Sequence, residues 1–141
     1  SLLQSRITQE GVETIVEDMS NIEVMANDVR LEQVFINLLT NALDAMQKSP
    51  LKRLSIYFKN NALGDPKQVT IYVTDTGSGI DSEHLNHLFD PFFSTKNVGV
   101  GLGLGLTISY SIIKTMGGEL TAKNSANGAT FGIQLQAQHW Y

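Results

Sequence analysis

Residues 69–75 read Val-Thr-Ile-Tyr-Val-Thr-Asp, and this alternation constrains the fold more than any other stretch of the chain. Side chains along a strand point to opposite faces in turn, so Val69, Ile71 and Val73 share one face, and the next position on it is Asp75. The spacing predicts a carboxylate beside a hydrophobic core, where it needs a donor. Thr76-Gly77-Ser78-Gly79-Ile80 follows at once, and its two glycines allow close approach of a ligand to the backbone. A strand-ending turn with an aspartate on its rim is the plain reading. The functional reading is an acceptor for the exocyclic amine of adenine.

Leu54, Ile56 and Phe58 alternate in the same manner, and the loop at 60–67 makes the two runs a predicted hairpin. Upstream, residues 12–18 (VETIVED) and 21–27 (NIEVMAN) read as two short strands joined by a tight turn. Asp28 is placed to cap a helix running to about Lys48 and stopped by Ser49 and Pro50. Within it Leu31, Val34, Phe35, Leu38, Leu39, Ala42 and Met46 follow the spacing of one buried face. Asp81 opens a short helical segment to Phe89, and 90–103 is a glycine-rich loop without a period. Helical spacing returns from Leu104 to Met116 and stops at Gly117-Gly118, after which GELTAKN and ATFGIQLQ form two strands around an Asn127-Gly128 turn. Hairpin strands with only two substantial helices predict an α+β fold. It is a two-layer α/β sandwich, its mixed, mostly antiparallel sheet covered by helices on one face, rather than a doubly wound parallel sheet.

At 141 residues there is room for one core, with 42% hydrophobic and 17% charged residues in the ordinary globular balance. Residues 1–9 carry no turn signal and read as the end of a preceding helix or a linker, leaving 10–141 as the domain proper. A net charge of -4 argues against nucleic acid as a partner. Without cysteine, disulfides, thiolate zinc sites and thiol catalysis are excluded. The most apolar run, from Leu102 to Ile113, is too short to span a membrane, and no signal peptide is evident, so a soluble chain is expected.

Two asparagines sit one turn apart in the apolar stretch VFINLLTNALDAM. Asn37 and Asn41 share a helical line with Gln33 and Asp44, either as a solvated stripe or as a row of polar ligands. Gly99, Gly101, Gly103 and Gly105 alternate with apolar residues and lead into a helix, offering unblocked N–H groups to phosphate. The pattern fits neither the Rossmann nor the P-loop fingerprint. Between the two glycine clusters lies LFDPFFSTK, whose Phe89, Phe92 and Phe93 suit a hydrophobic latch for a loop, with Lys96 able to reach a phosphate.

These four segments, in this order, resemble the catalytic and ATP-binding domain of bacterial sensor histidine kinases, within the GHKL group of ATPases. EQVFINLLTNA is similar to the N box, DTGSGI to the first G box, LFDPFFSTK to the F box and GVGLGLGLTI to the second G box. The resemblance implies that Asn41 holds the Mg²⁺ bridging the triphosphate of ATP, with Asn37 beside it, and that these two form the catalytic pair. It implies that Asp75 accepts from the adenine amine, helped through water by Thr130, in a pocket shaped by Gly77 and Gly79. Gly101, Gly103 and Gly105 would face the phosphates, and Lys96 would contact one. Asn37 stands where hydrolytic relatives carry a glutamate that activates water, and an amide accepts no proton at neutral pH. The implied function is therefore transfer of the γ-phosphate to a histidine on a dimerisation domain that this sequence lacks, with a response regulator downstream.

His84 and His87 lack the context of an acceptor and read as surface histidines. A monomeric, cytoplasmic domain is implied, its parent either free or anchored in the bacterial inner membrane. A stand-alone GHKL ATPase and a nucleotide-binding regulatory module without transfer are the alternatives. Relatives of this group commonly have a basic and then an aromatic residue at the positions of Asp44 and Ala45, so this chain departs there. NALDAM and GLGLGL are closer to the nitrogen-regulatory and dicarboxylate-sensing branch.

Overall fold

The computed structural model describes residues 2–20, 23–24, 27–60, 68–90 and 102–139. In chain order its elements are α1 (Leu2–Gln9), β1 (Glu13–Val16), β2 (Glu23–Val24), α2 (Asp28–Ala45), β3 (Arg53–Asn60), β4 (Gln68–Asp75), α3 (Ser82–Leu85), α4 (Leu102–Thr115), β5 (Glu119–Ser125) and β6 (Gly128–His139). The strands form one mixed sheet in the order β1-β3-β4-β6-β2, with β5 also paired to β6. Among the described residues only β1 and β3 run parallel, and the other pairs are antiparallel.

The predicted hairpin of β3 and β4 forms, with Ile56 opposite Val73 and Leu54 opposite Asp75. Strand β4 alternates as its sequence requires: Val69, Ile71, Val73 and Asp75 are buried, and the residues between them are half-exposed. Phe131, Ile133 and Leu135 continue this face on β6, and Leu120 on β5. Against it lie Val34, Leu38, Leu43 and Met46 from α2 and its C-cap, Ile112 and Ile113 from α4, and Leu3 and Ile7 from α1. The helices thus cover a single face, as the patterning predicts.

Several boundaries differ from the sequence reading. The strands at 12–18 and 21–27 do not pair with one another: β1 pairs with β3 and β2 with the C-terminal end of β6, at opposite ends of the sheet. Apolar alternation is the same whichever partner a strand takes, so the pairing could not be read from it. The cap of α2 is Asn27, not Asp28, its side chain accepting from the Arg30 N–H at 3.0 Å. That helix ends at Ala45, short of Lys48. Helix α4 starts at Leu102, two residues before Leu104, and takes Gly103 and Gly105 into its first turns. Its stop is as expected: Gly117 has φ 79°, its N–H reaches Lys114 O and the Gly118 N–H reaches Ile113 O, which is a Schellman closure. The final hairpin turns at Ala126-Asn127, with Ser125 opposite Gly128, so Gly128 belongs to β6 and not to the turn.

Candidate functional site

The buried carboxylate has the donors that its position demands. Asp75 is 3% exposed, and its Oδ1 accepts from the N–H of Gly77 at 2.8 Å and of Ala129 at 3.3 Å. Both bonds fall on one oxygen, so Oδ2 makes none among the described residues and stands as the acceptor still available. Burial pushes the carboxyl above its ordinary value, and the two N–H groups pull it back in part.

The loop after Asp75 is seated from three sides. The Thr76 hydroxyl donates to Leu51 O at 2.7 Å and accepts from the Arg53 N–H at 2.9 Å, tying the loop to the start of β3. A Cβ on Gly77 would stand 2.6 Å from Ala45 O, so only glycine lets the loop lie against the end of α2. The Ser78 N–H donates to that same carbonyl at 3.3 Å. Gly79 has φ 78°, a left-handed conformation that a side chain would strain.

One end of α2 meets this loop, and the other way along it meets α4. Asn37 Nδ2 donates to the buried Ser109 Oγ at 3.1 Å, and a Cβ on Gly105 would stand 2.6 Å from Asn37 Oδ1. A groove of about 240 Å³ opens here between Asn37, Thr40, Gly105 and Ser109, with Ile36 and Ile108 on its lips. From Asn37 to Ala45 the helix rises about 12 Å at 1.5 Å per residue. That separation suits a ligand with a base at the Asp75 end and phosphates at the α4 end.

Asn41 lies between the two ends. Its Oδ1 is buried and has no hydrogen-bond partner among the described residues. An orphaned amide oxygen is costly unless a ligand completes it, and hard cations take oxygen ligands. No group of three or more His, Cys, Asp or Glu side chains converges among the described residues. A lone buried amide oxygen fits Mg²⁺, which is usually held by few protein groups.

The structure therefore brings together Asn37, Asn41, Asp75, Gly77, Gly79 and Gly105, and sets Gly103 at the start of the same α4. Lys96, Gly101, Phe92 and Phe93 lie outside the described residues. Phe89, the one phenylalanine of LFDPFFSTK among the described residues, stacks its ring on Tyr110 at 5.1 Å, and Thr107 donates to Phe89 O and Asp90 O. Thr130 is parted from Asp75. It pairs with Thr74, their hydroxyls 3.0 Å apart on the opposite face of the sheet, and Ala129 is the neighbour that reaches Asp75. The alternation of Phe131, Ile133 and Leu135 carries that signal, because it puts Thr130 off the core face. Ser109 and Gly128 are contributors that the sequence reading did not single out; a buried serine within an apolar helix face marks the first. Asp44, one of the two departures from the family pattern, accepts from Arg6 of α1 at 2.7 Å. His87 is an exposed residue just past the end of α3, its Nδ1 3.0 Å from Asp90 Oδ2, and His84 lies within α3.

Residues 26–139 match the family described as histidine kinase-, DNA gyrase B- and HSP90-like ATPase. The chain is 44% identical over 107 residues to the two-component sensor PprA of Pseudomonas aeruginosa, an alignment that takes in 75% of this chain and 12% of that protein. It is 38% identical over 106 residues to the C4-dicarboxylate transport sensor protein DctB of the same organism, covering 74% of this chain and 17% of the relative. It thus spans less than a quarter of the length of these curated relatives. Among solved structures, the catalytic domain of histidine kinase ThkA superposes with a TM-score of 0.81 at 30% identity, covering 96% of this chain and 86% of that one. Family match, likeness to an isolated catalytic domain and the Asp75-to-Gly105 site agree: the chain belongs to the histidine kinase-, DNA gyrase B- and HSP90-like ATPases, among the catalytic domains of sensor histidine kinases.

Proposed function

We propose that this domain binds ATP with Mg²⁺ and presents the γ-phosphate to a histidine on a separate dimerisation domain of the same parent protein, for relay to a response regulator. The observation that carries the reading is the free Oδ2 of Asp75 at one end of a site whose other end is the Asn37–Gly105 contact. Oδ2 accepts from the adenine amine, and Gly77 and Gly79 give the base room. Asn41 supplies an amide oxygen to the cation, which when bound neutralises phosphate charge. Gly101, Gly103, Gly105 and Lys96 are assigned to the phosphates.

Asn37 favours transfer over hydrolysis. Its Nδ2 is engaged by Ser109, and its carboxamide has no basicity at neutral pH with which to activate water. The acceptor imidazole nitrogen then forms the bond to the γ-phosphorus while the bond to the ADP oxygen breaks. Thr130 has no place in this arrangement. The kinase unit is residues 10–141, with α1 docked on it through Leu3 and Ile7. No helix among the described residues is long and apolar enough to cross a membrane, and a cytoplasmic position for the domain follows from its use of ATP. The likeness to DctB supports the dicarboxylate-sensing branch.

The test is to mix this chain with labelled ATP, Mg²⁺ and a separately made helical domain bearing the acceptor histidine. Label appearing on the acceptor in acid-labile, base-stable form is expected. Steady release of free phosphate with an unlabelled acceptor would instead assign the site to hydrolysis.

A further inference from the structure

We infer that Asn124 is a positioning residue for the nucleotide base, holding the loop from Asp75 to Ile80 in the shape through which Asp75 selects adenine. The inference rests on the reading of Asp75 as the acceptor for the adenine amine.

Asn124 lies on β5, 44 positions from its partner. The Ile80 N–H donates to Asn124 Oδ1 at 2.6 Å, and Asn124 Nδ2 donates to Ile80 O at 2.7 Å. One side chain thus completes both backbone groups of one loop residue, as a neighbouring strand would. Only a carboxamide offers a donor and an acceptor side by side in this way; a carboxylate keeps the acceptor alone. The fit extends to Gly79, where a Cβ would stand 3.1 Å from Asn124 Oδ1.

The loop is accordingly held at both ends by one hairpin. Ala129 of β6 fixes Asp75 at its start, and Asn124 of β5 fixes Ile80 at its end. Between them the Gly77 N–H, the shorter of the two bonds to Asp75 Oδ1, joins that of Ala129 in engaging this oxygen and leaving Oδ2 to the pocket. Without Asn124 the Ile80 N–H and carbonyl lose these partners, the left-handed Gly79 is freed, and Gly77 no longer holds Oδ1 in a single orientation. Asn124 acts through the loop and is assigned no contact with the ligand.

Calorimetric titration of the 141-residue chain with Mg-ATP and with Mg-inosine triphosphate tests this, because hypoxanthine carries a carbonyl where adenine carries its amine. The parent should prefer ATP. Asn124→Ala should lower the ATP-to-ITP affinity ratio by about 5-fold to 10-fold, mainly through ATP. A purely structural role would lower the folded fraction, which scales both affinities alike and leaves the ratio unchanged; that result would overturn the inference. Asn124→Asp, which keeps the acceptor for the Ile80 N–H, should give an intermediate ratio, and decides the matter if the alanine variant does not fold. A parental ratio held in Asn124→Asp would also count against it. If the parent itself shows no preference for ATP, the reading of Asp75 fails, and this inference with it.

Discussion

Gly128 and Asp75 are in such close backbone contact that a Cβ on Gly128 would stand 2.2 Å from the Asp75 carbonyl oxygen and 2.8 Å from its Oδ1. The last strand can supply the Ala129 N–H to the buried carboxylate because its preceding residue has no side chain. Gly105 has a similar clash distance but a different obstacle, the Asn37 side chain at 2.6 Å.

That contrast separates stability from function. In Gly128→Ala the methyl meets backbone that cannot move alone, and a loss of about 1 to 3 kcal/mol or more is expected. In Gly105→Ala a side chain can swing aside, and helix propensity gains about 1 kcal/mol. Thermal unfolding should show the first variant clearly destabilised and the second close to the parent. Nucleotide titration should show Gly105→Ala weakened all the same, because Asn37 has been displaced. A strongly destabilised Gly105→Ala would mean that the Asn37–Gly105 contact serves packing alone.

Asp75→Asn should reverse the preference for the base. With Oδ1 keeping its two N–H donors, the amide nitrogen takes the place of Oδ2 and presents a donor to the pocket. Affinity for ATP should fall by roughly 10-fold to 150-fold, the loss of about 1.5 to 3 kcal/mol expected for a charged hydrogen bond. Inosine triphosphate, with an acceptor at that position, should bind the variant better than it binds the parent. Unchanged affinity for ATP in a folded variant would return Asp75 to the role of a turn residue.

The same carboxylate should make the nucleotide-free fold sensitive to pH in a definite sense. Its value is raised by burial, so between the unfolded and folded values the native chain holds a proton that the unfolded chain has released. The contribution of Asp75 to stability is therefore complete below that window and is lost as pH rises through it. Measured by melting temperature without nucleotide, Asp75→Asn should gain on the parent as pH goes from acid to neutral and hold the gain beyond. A variant melting temperature that falls relative to the parent with rising pH would contradict the assigned direction.

Removing Asn41 should part stability from activity. The orphaned Oδ1 carries an unmade hydrogen bond, and alanine is the better helix former, so Asn41→Ala should melt at or above the parental temperature without ligand. Its affinity for nucleotide should lose the dependence on Mg²⁺, and transfer to an added acceptor domain should cease. Saturating nucleotide at a hundredfold excess over the parental Kd should raise parental stability by about 2.7 kcal/mol, a gain that should be smaller in the variant at the same concentration. Full transfer by the variant would take Asn41 out of the mechanism.

Local periodicity and residue chemistry by themselves determined most of the elements and the placement of several candidate site residues. Alternation along β4 placed Asp75 on the core face, because strand geometry leaves no other face for it. The helical line put Asn37 and Asn41 one turn apart, and Gly117-Gly118 stopped α4. Tertiary structure decided what depends on partners distant in sequence. It sent β1 and β2 to opposite ends of the sheet, since identical alternation serves any neighbour. It moved the last turn by one residue, which made Gly128 a strand residue pressed on Asp75. It paired Thr130 with Thr74, whereas the parity of Phe131 and Ile133 alone already puts Thr130 off the core face. Asn124 with Ile80 and Arg6 with Asp44 are pairs 44 and 38 residues apart. No short-range pattern encodes them: a hydrogen bond between such residues exists only once the sheet and the helices above it have brought their backbones together.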